Sequence, residues 1–278
     1  MKFCVFTDPH LNRYPSKKEE FRQFIKKISL VVDGFICSGD WCSNDVDELD
    51  EIFKIVREET DKPVLTVFGN HDFWNISRKY TLDEVISLQI DLCQKYNITH
   101  LEQTPFENEN LFICGFDGWY AQDTGTSVTN DYDFIPKSNS LGGTPFQFLK
   151  RKEMNAIYKA IDYEISPNKK KVCVTHFGFG RLVNIKSELV DMKSDMVVIG
   201  QDNQEINLED IHASDPEKAY DQYNAHKRHA IIIAEKFDLV IFGHSHRITD
   251  FKIGSCSFMN VGADYNKSPE SFYKIIDL

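Results

Sequence analysis

No pair of the form CxxC occurs among the seven cysteines of this chain. That removes the thiolate ligand sets of zinc ribbons and the dithiol of thioredoxin-like oxidoreductases. Seven is also odd, so the cysteines cannot all pair within the chain. Cys4, Cys37, Cys114 and Cys173 stand inside apolar runs, where a free thiol packs as a small hydrophobe. Reduced thiols in a soluble cytoplasmic protein are the expectation. Positive charge is in short supply: 32 Lys and Arg face 43 Asp and Glu, a formal net charge of −11. A sequence-independent nucleic-acid binder draws its affinity from phosphate contacts, so this balance argues against one. A nucleotide or a strand end stays open as substrate. No apolar run approaches the ~20 residues of a membrane span. The N-terminal run is cut at Asp8, too early for a secretory leader. Internal repeats, low-complexity tracts and a credible linker are missing as well. The 278 residues suit one α/β enzyme domain. Residues 1–278 are therefore read as a single domain, with irregular insertions near 116–146 and 177–216.

What the chain does have is a series of short apolar runs, each ending in a polar residue with lone pairs to offer. Phe3-Cys4-Val5-Phe6 leads to Asp8-Pro9-His10, and Phe35-Ile36-Cys37 leads to Gly39-Asp40. Val64 to Phe68 leads to Gly69-Asn70-His71-Asp72, where the glycine permits a sharp turn as the strand ends. Val172-Cys173-Val174 leads to His176, and Leu239 to Phe242 leads to Gly243-His244-Ser245-His246. Strand tips are where open α/β sheets bind ligands and metals. Asp, His and Asn donors without cysteine suit a borderline or hard divalent cation such as Mn, Fe or Zn. Any one of these stretches alone reads as an ordinary polar turn or cap; five in one order do not.

Between the runs lie helical periods over 16–30, 45–60, 81–96, 147–165 and 216–237. Ser16 with Glu19, and Thr81 with Glu84, read as capping boxes. Short strands are expected at 98–101, 111–115 and 197–200, and two or three more after residue 247, at 248–253, 256–260 and 271–276. The aromatic-rich segment 116–146 is long for a connection, which marks it as a candidate substrate lid or a self-packed surface loop. Lys169-Lys170-Lys171 reads as a solvated strand entry. His226 and His229 share a helix face but flank Lys227 and Arg228, so a solvated face is the expectation. His100 and His212 fall outside the pattern. Arg181 is placed at the surface, with a substrate phosphate contact as the alternative.

The order DxH, GD, GNHD, H, GHxH, spread from residue 8 to residue 246, resembles the calcineurin-like metallophosphoesterase family. Asn260-Val261-Gly262-Ala263 resembles the turn that follows its last histidine pair. The resemblance implies a four-layer α/β/β/α sandwich of two mixed sheets flanked by helices. It also implies two divalent ions, Mn foremost, with Fe or Zn as alternatives. Carried over position by position, it gives Asp8, His10, Asp40 and His246 to one metal. Asp40, Asn70, His176 and His244 go to the other, with Asp40 bridging. His71 is then no ligand but the catalytic group beside the leaving oxygen. The implied reaction is attack of a metal-bridging hydroxide on a small phosphorylated substrate, a phosphodiester by preference. A phosphomonoesterase or protein phosphatase, a nuclease acting on strand ends, and a non-catalytic scaffold are the alternatives.

The sequence departs from relatives in three places. The GDxVDRG motif of protein phosphatases is replaced by Gly39-Asp40-Trp41-Cys42-Ser43-Asn44, without its arginine. Ser43 stands where many relatives carry a carboxylate near the catalytic histidine, with Asp45 two residues on. His176 is followed by Phe177-Gly178 in place of the His-x-Pro of many diesterases.

Overall fold

In strand β1 (Lys2–Phe6) alternate side chains leave opposite faces, and the two faces enter different cores. Phe3 and Val5 join one hydrophobic cluster, Cys4 and Phe6 another. This is a computed structural model, and it describes residues 1–13, 16–118, 134–137, 145–177, 229–246, 248–264, 267 and 269–278. β1 pairs in parallel with β2 (Gly34–Cys37), placing Val5 beside Ile36 and Cys4 beside Phe35. β3 (Val64–Thr66) and the two-residue β4 (Thr99–His100) extend the sheet in parallel. The last strand of the chain, β11 (Tyr273–Asp277), closes its other edge antiparallel to β1. The order is β11-β1-β2-β3-β4.

The second sheet runs β5 (Phe106–Glu107), β6 (Leu111–Phe116), β7 (Lys170–Thr175), β8 (Leu239–Phe242), β10 (Cys256–Val261) and β9 (Ile248–Ile253). Its inner strands are parallel and its two outer pairs antiparallel. Three clusters then define four layers. Helices α1 (Lys17–Ile28), α2 (Glu48–Glu59) and α3 (Leu82–Lys95) bury Phe21, Phe24, Leu49, Phe53 and Val85 on the outer face of the first sheet. Phe3, Val5 and Leu65 meet Ile113, Val172, Val174 and Ile241 between the sheets. α4 (Pro145–Asp162) and α5 (229–236) cover the outer face of the second sheet with Ile157, Ala160 and Ile233. The expected α/β/β/α sandwich of two mixed sheets is what forms.

Local expectations fared unevenly. Thr81 caps α3 as expected: its hydroxyl accepts from Glu84 N, and Glu84 accepts from Thr81 N at 2.7 Å. Ser16 does not cap α1. Its backbone is already helical (φ −73°, ψ −16°), so its hydroxyl turns to Glu20 at 3.1 Å and the predicted box with Glu19 is absent. α2 starts at Glu48 rather than 45, because Asp45 is held in a bridge to Asn75. Strand β5 was not anticipated; two residues carry no periodicity to read. Lys169 pairs with Glu107 at the entry to β7. All seven cysteines are free and buried. Among the described residues no helix is long and apolar enough to cross a membrane. The expected strand at 197–200, Arg181, His212, His226 and most of both insertions lie outside the described residues. The described part of the first insertion is anchored: Asn75 N donates to Phe134 O at 2.9 Å, and Phe134 packs on Trp74.

Candidate metal centre

The parallel strands β1, β2, β3, β7 and β8 all deliver their C-terminal ends to one edge of the sandwich. There the chain must turn within two or three residues while aiming a side chain inward. Asp8, His10, Asp40, His244 and His246 do so in the left-handed region, at φ 48°, 43°, 58°, 63° and 55°. Asp and His are among the few non-glycine types enriched there. Each still costs about 1–2 kcal/mol, and such strain persists where the surroundings fix it. Glycines provide the room. A Cβ on Gly69 would lie 2.6 Å from His176 Nε2, and one on Gly243 2.8 Å from Asp8 Oδ2. Gly39, at φ +99°, passes as close to His176 Nδ1.

The side chains converge. His246 Nε2 is 3.3 Å from Asp8 Oδ1 and 3.4 Å from His10 Nε2. Asp40 Oδ2 is 3.6 Å from His10 Nε2 and 3.4 Å from His176 Nε2, between the two groups. His176 Nε2 also lies 3.2 Å from Asn70 Oδ1, and the His244 ring stands 5.4 Å from that of His176. Asp8, His10, Asp40 and His176 are all but fully buried, while the His246 side chain is 19% exposed at the mouth. All seven expected ligands are thus brought together. His71 is closer than expected: its ring is 4.7 Å from that of His10, and it offers a donor within 4.8 Å of those of His10 and Asp40.

These residues fit a pair of divalent ions. The Nε2 atoms face inward among carboxylates, while the outer nitrogens are held from behind. His176 Nδ1 lies 2.7 Å from Ser38 O and His10 Nδ1 3.0 Å from Ser43 Oγ, the arrangement that fixes a ligating imidazole's tautomer. Burial pushes the pKa of His10 down to about 3 and that of His244 to about 4, so both rings are neutral and able to ligate. For His176 burial opposes charge, but Asp40 and Asp8 outweigh it and raise the ring to about 10. A divalent cation would take the place of that proton. Burial alone would raise the Asp40 carboxyl, yet His176 and His71 hold it well below the usual range.

Three supporting residues carry no role that the sequence assigns. Asp72 is fully buried and accepts from the backbone N–H of Asp40 (2.8 Å), Gly69 (2.9 Å) and Cys42 (3.2 Å). It clamps the turn of Asp40 to the turn of Asn70; burial and Asp40 push its pKa up to about 7. Trp74 packs on His71 with the ring centroids 3.7 Å apart and the planes tilted by 33°. It packs against that ring beside the Ser43 backbone, while the Ser43 hydroxyl serves His10 and Asp45 serves Ser77. Phe177 stacks on His244 at 3.7 Å. Nothing local separates Trp74 from ordinary core packing or signals Asp72's role. Asn260, noted in the sequence, reaches Gly243 O and Ser245 Oγ and steadies the last histidine pair.

The family model for calcineurin-like phosphoesterases matches residues 1–247, and the chain belongs to that family of metal-dependent phosphoester hydrolases with a dinuclear metal centre. No curated protein sequence matches it. Among solved structures, the chain is similar to phosphopantetheinyl hydrolase (PptH) from Mycobacterium tuberculosis. That match has 14% identity and TM-score 0.63, covering 99% of this chain and 95% of that one. It is also similar to TT1561 of Thermus thermophilus, at 11% identity and TM-score 0.51, covering 99% and 98%. At these identities the likeness is one of fold.

Proposed function

We propose that the chain hydrolyses a small phosphodiester, with Asp8, His10, Asp40 and His246 holding one divalent ion and Asp40, Asn70, His176 and His244 the other. The observation that carries this reading is the position of Asp40 Oδ2 between His10 Nε2 and His176 Nε2. The donor set suits Mn, Fe or Zn, and the family resemblance puts Mn first. When bound, such a pair supplies an activated water and neutralises phosphoryl oxygens. The chain's own residues do the rest. Trp74 holds the His71 ring at the mouth, where it gives a proton to the leaving oxygen. The backbone N–H of His71 donates to Asp40 Oδ1 at 3.0 Å and keeps that carboxylate from rotating.

The diester preference rests on charge. Among the described residues, no lysine or arginine is paired with Asp8 or Asp40, and Trp41 to Asn44 bring none. A monoester dianion carries one negative charge more than a diester and gains more from such a cation. The Mn-loaded chain is expected to show higher kcat/KM on bis(p-nitrophenyl) phosphate than on p-nitrophenyl phosphate. Faster turnover of the monoester would reassign it as a phosphomonoesterase. The acidic balance and buried thiols support a small substrate in the cytoplasm over nucleic acid or a membrane surface.

A further inference from the structure

Behind the centre lies a buried ionic network that the reaction itself does not use. Asp117 follows β6, and Glu102 and His100 stand at the end of β4. Lys152 reaches them from α4. Its ammonium lies 2.8 Å from Asp117 Oδ2 and also pairs with Glu102 Oε1. His100 Nε2 is 2.9 Å from Asp117 Oδ1, and Glu102 accepts from Asp117 N at 2.9 Å. Asp117, His100 and Glu102 are 4%, 6% and 8% exposed. Together with Lys152 they form two carboxylates against one ammonium. The carboxylate–imidazole cluster could hold a metal on spacing alone, but the ammonium already sits on both carboxylates.

Burying such ions is expensive, and apolar residues often serve stability as well. What this network does hold is two specific turns. Asp117 Oδ1 accepts from Phe68 N at 2.8 Å, just before Gly69-Asn70. Gly118 O accepts from Phe177 N at 3.1 Å, just after His176. Lys152 also lies over the ring of Phe73, the last residue of the 3-10 turn that begins at Asn70. Adjacent residues thus grip the backbone beside both Asn70 and His176, whose side chains meet at 3.2 Å. Among the described residues, no member of this network bonds the backbone beside Asp8 or His246.

We propose that Asp117 and Gly118, fixed by Lys152 and Glu102, are positioning residues for the Asn70–His176 half of the metal centre. The inference rests on the two-ion reading above and deepens it: one ion site is tuned from α4 and the other is not. Positioning partners of this sort are worth about 10–100-fold in metal affinity.

Calorimetric titration of the full chain with Mn tests it, with thermal melts to confirm folding. The unaltered chain is expected to show two sites. Asp117→Asn keeps the shape but weakens the hold of Lys152; it should lower the affinity of one site by about 10-fold or more and leave the other within about twofold. Lys152→Gln should do the same, and it guards against failure of the first variant to fold. Activity of both should recover at high Mn. Ile157→Val, a cavity in the apolar face of the same helix that leaves every ion pair of the network in place, should shift the melt and neither site. Two sites weakened together, or neither, would overturn the inference alone, as would Ile157→Val reproducing the one-site loss. An unaltered chain with fewer than two sites would overturn the metal-centre reading as well.

Discussion

Asp40→Asn should reduce kcat on a phosphodiester by more than about 10³-fold, beyond the usual cost of one lost electrostatic contact. The substitution is close to isosteric, and asparagine tolerates the left-handed backbone found at φ 58°. The amide oxygen can still accept from His71 N, so the fold should survive. What goes is the charge. One carboxylate faces His176 at 3.4 Å and His10 at 3.6 Å, and its negative charge raises the pKa of the His176 ring, where a bound cation would take the place of the proton. With a neutral amide there, the two ions would lack the anion they are proposed to share. Mn content by mass spectrometry should fall from two per chain to one or fewer. A variant that keeps two ions and a tenth of the activity would show that Asp40 does not bridge.

His71→Asn carries the second large effect, and its signature is the leaving group. The ring has donors near His10 and Asp40, so it is either a proton donor or an additional ligand. Burial favours its neutral form while the Asp40 charge works the other way; an anionic substrate would reinforce Asp40. As a general acid it contributes about 10²–10⁴-fold, but only where the leaving oxygen needs a proton. The loss should therefore be large for an alkyl diester and small for a p-nitrophenyl one, with Mn content unchanged. An equal loss on both substrates together with loss of Mn would make His71 a ligand.

The centre was legible because each donor follows a strand the apolar runs announce, and because parallel strands must end at one edge. Thr81 with Glu84 was legible for a similar reason: the box is complete within four residues and exposed to little else. Ser16 carried the same local text and failed, because its own backbone had joined the helix. What could not be read is whatever depends on pairs far apart in the chain. Asp72 grips Asp40 and Cys42 across some thirty residues, and Lys152 meets Glu102 fifty residues away. No periodicity encodes such pairs. Nor did any signal separate the contact of Trp74 with His71 from ordinary core packing.

Anomalous scattering from a Mn-soaked crystal tests the central claim most directly. Two peaks are expected, one among Asp8, His10 and His246 and one among Asn70, His176 and His244, both within ligand distance of Asp40. A single peak, or density instead between His100, Glu102 and Asp117, would contradict it.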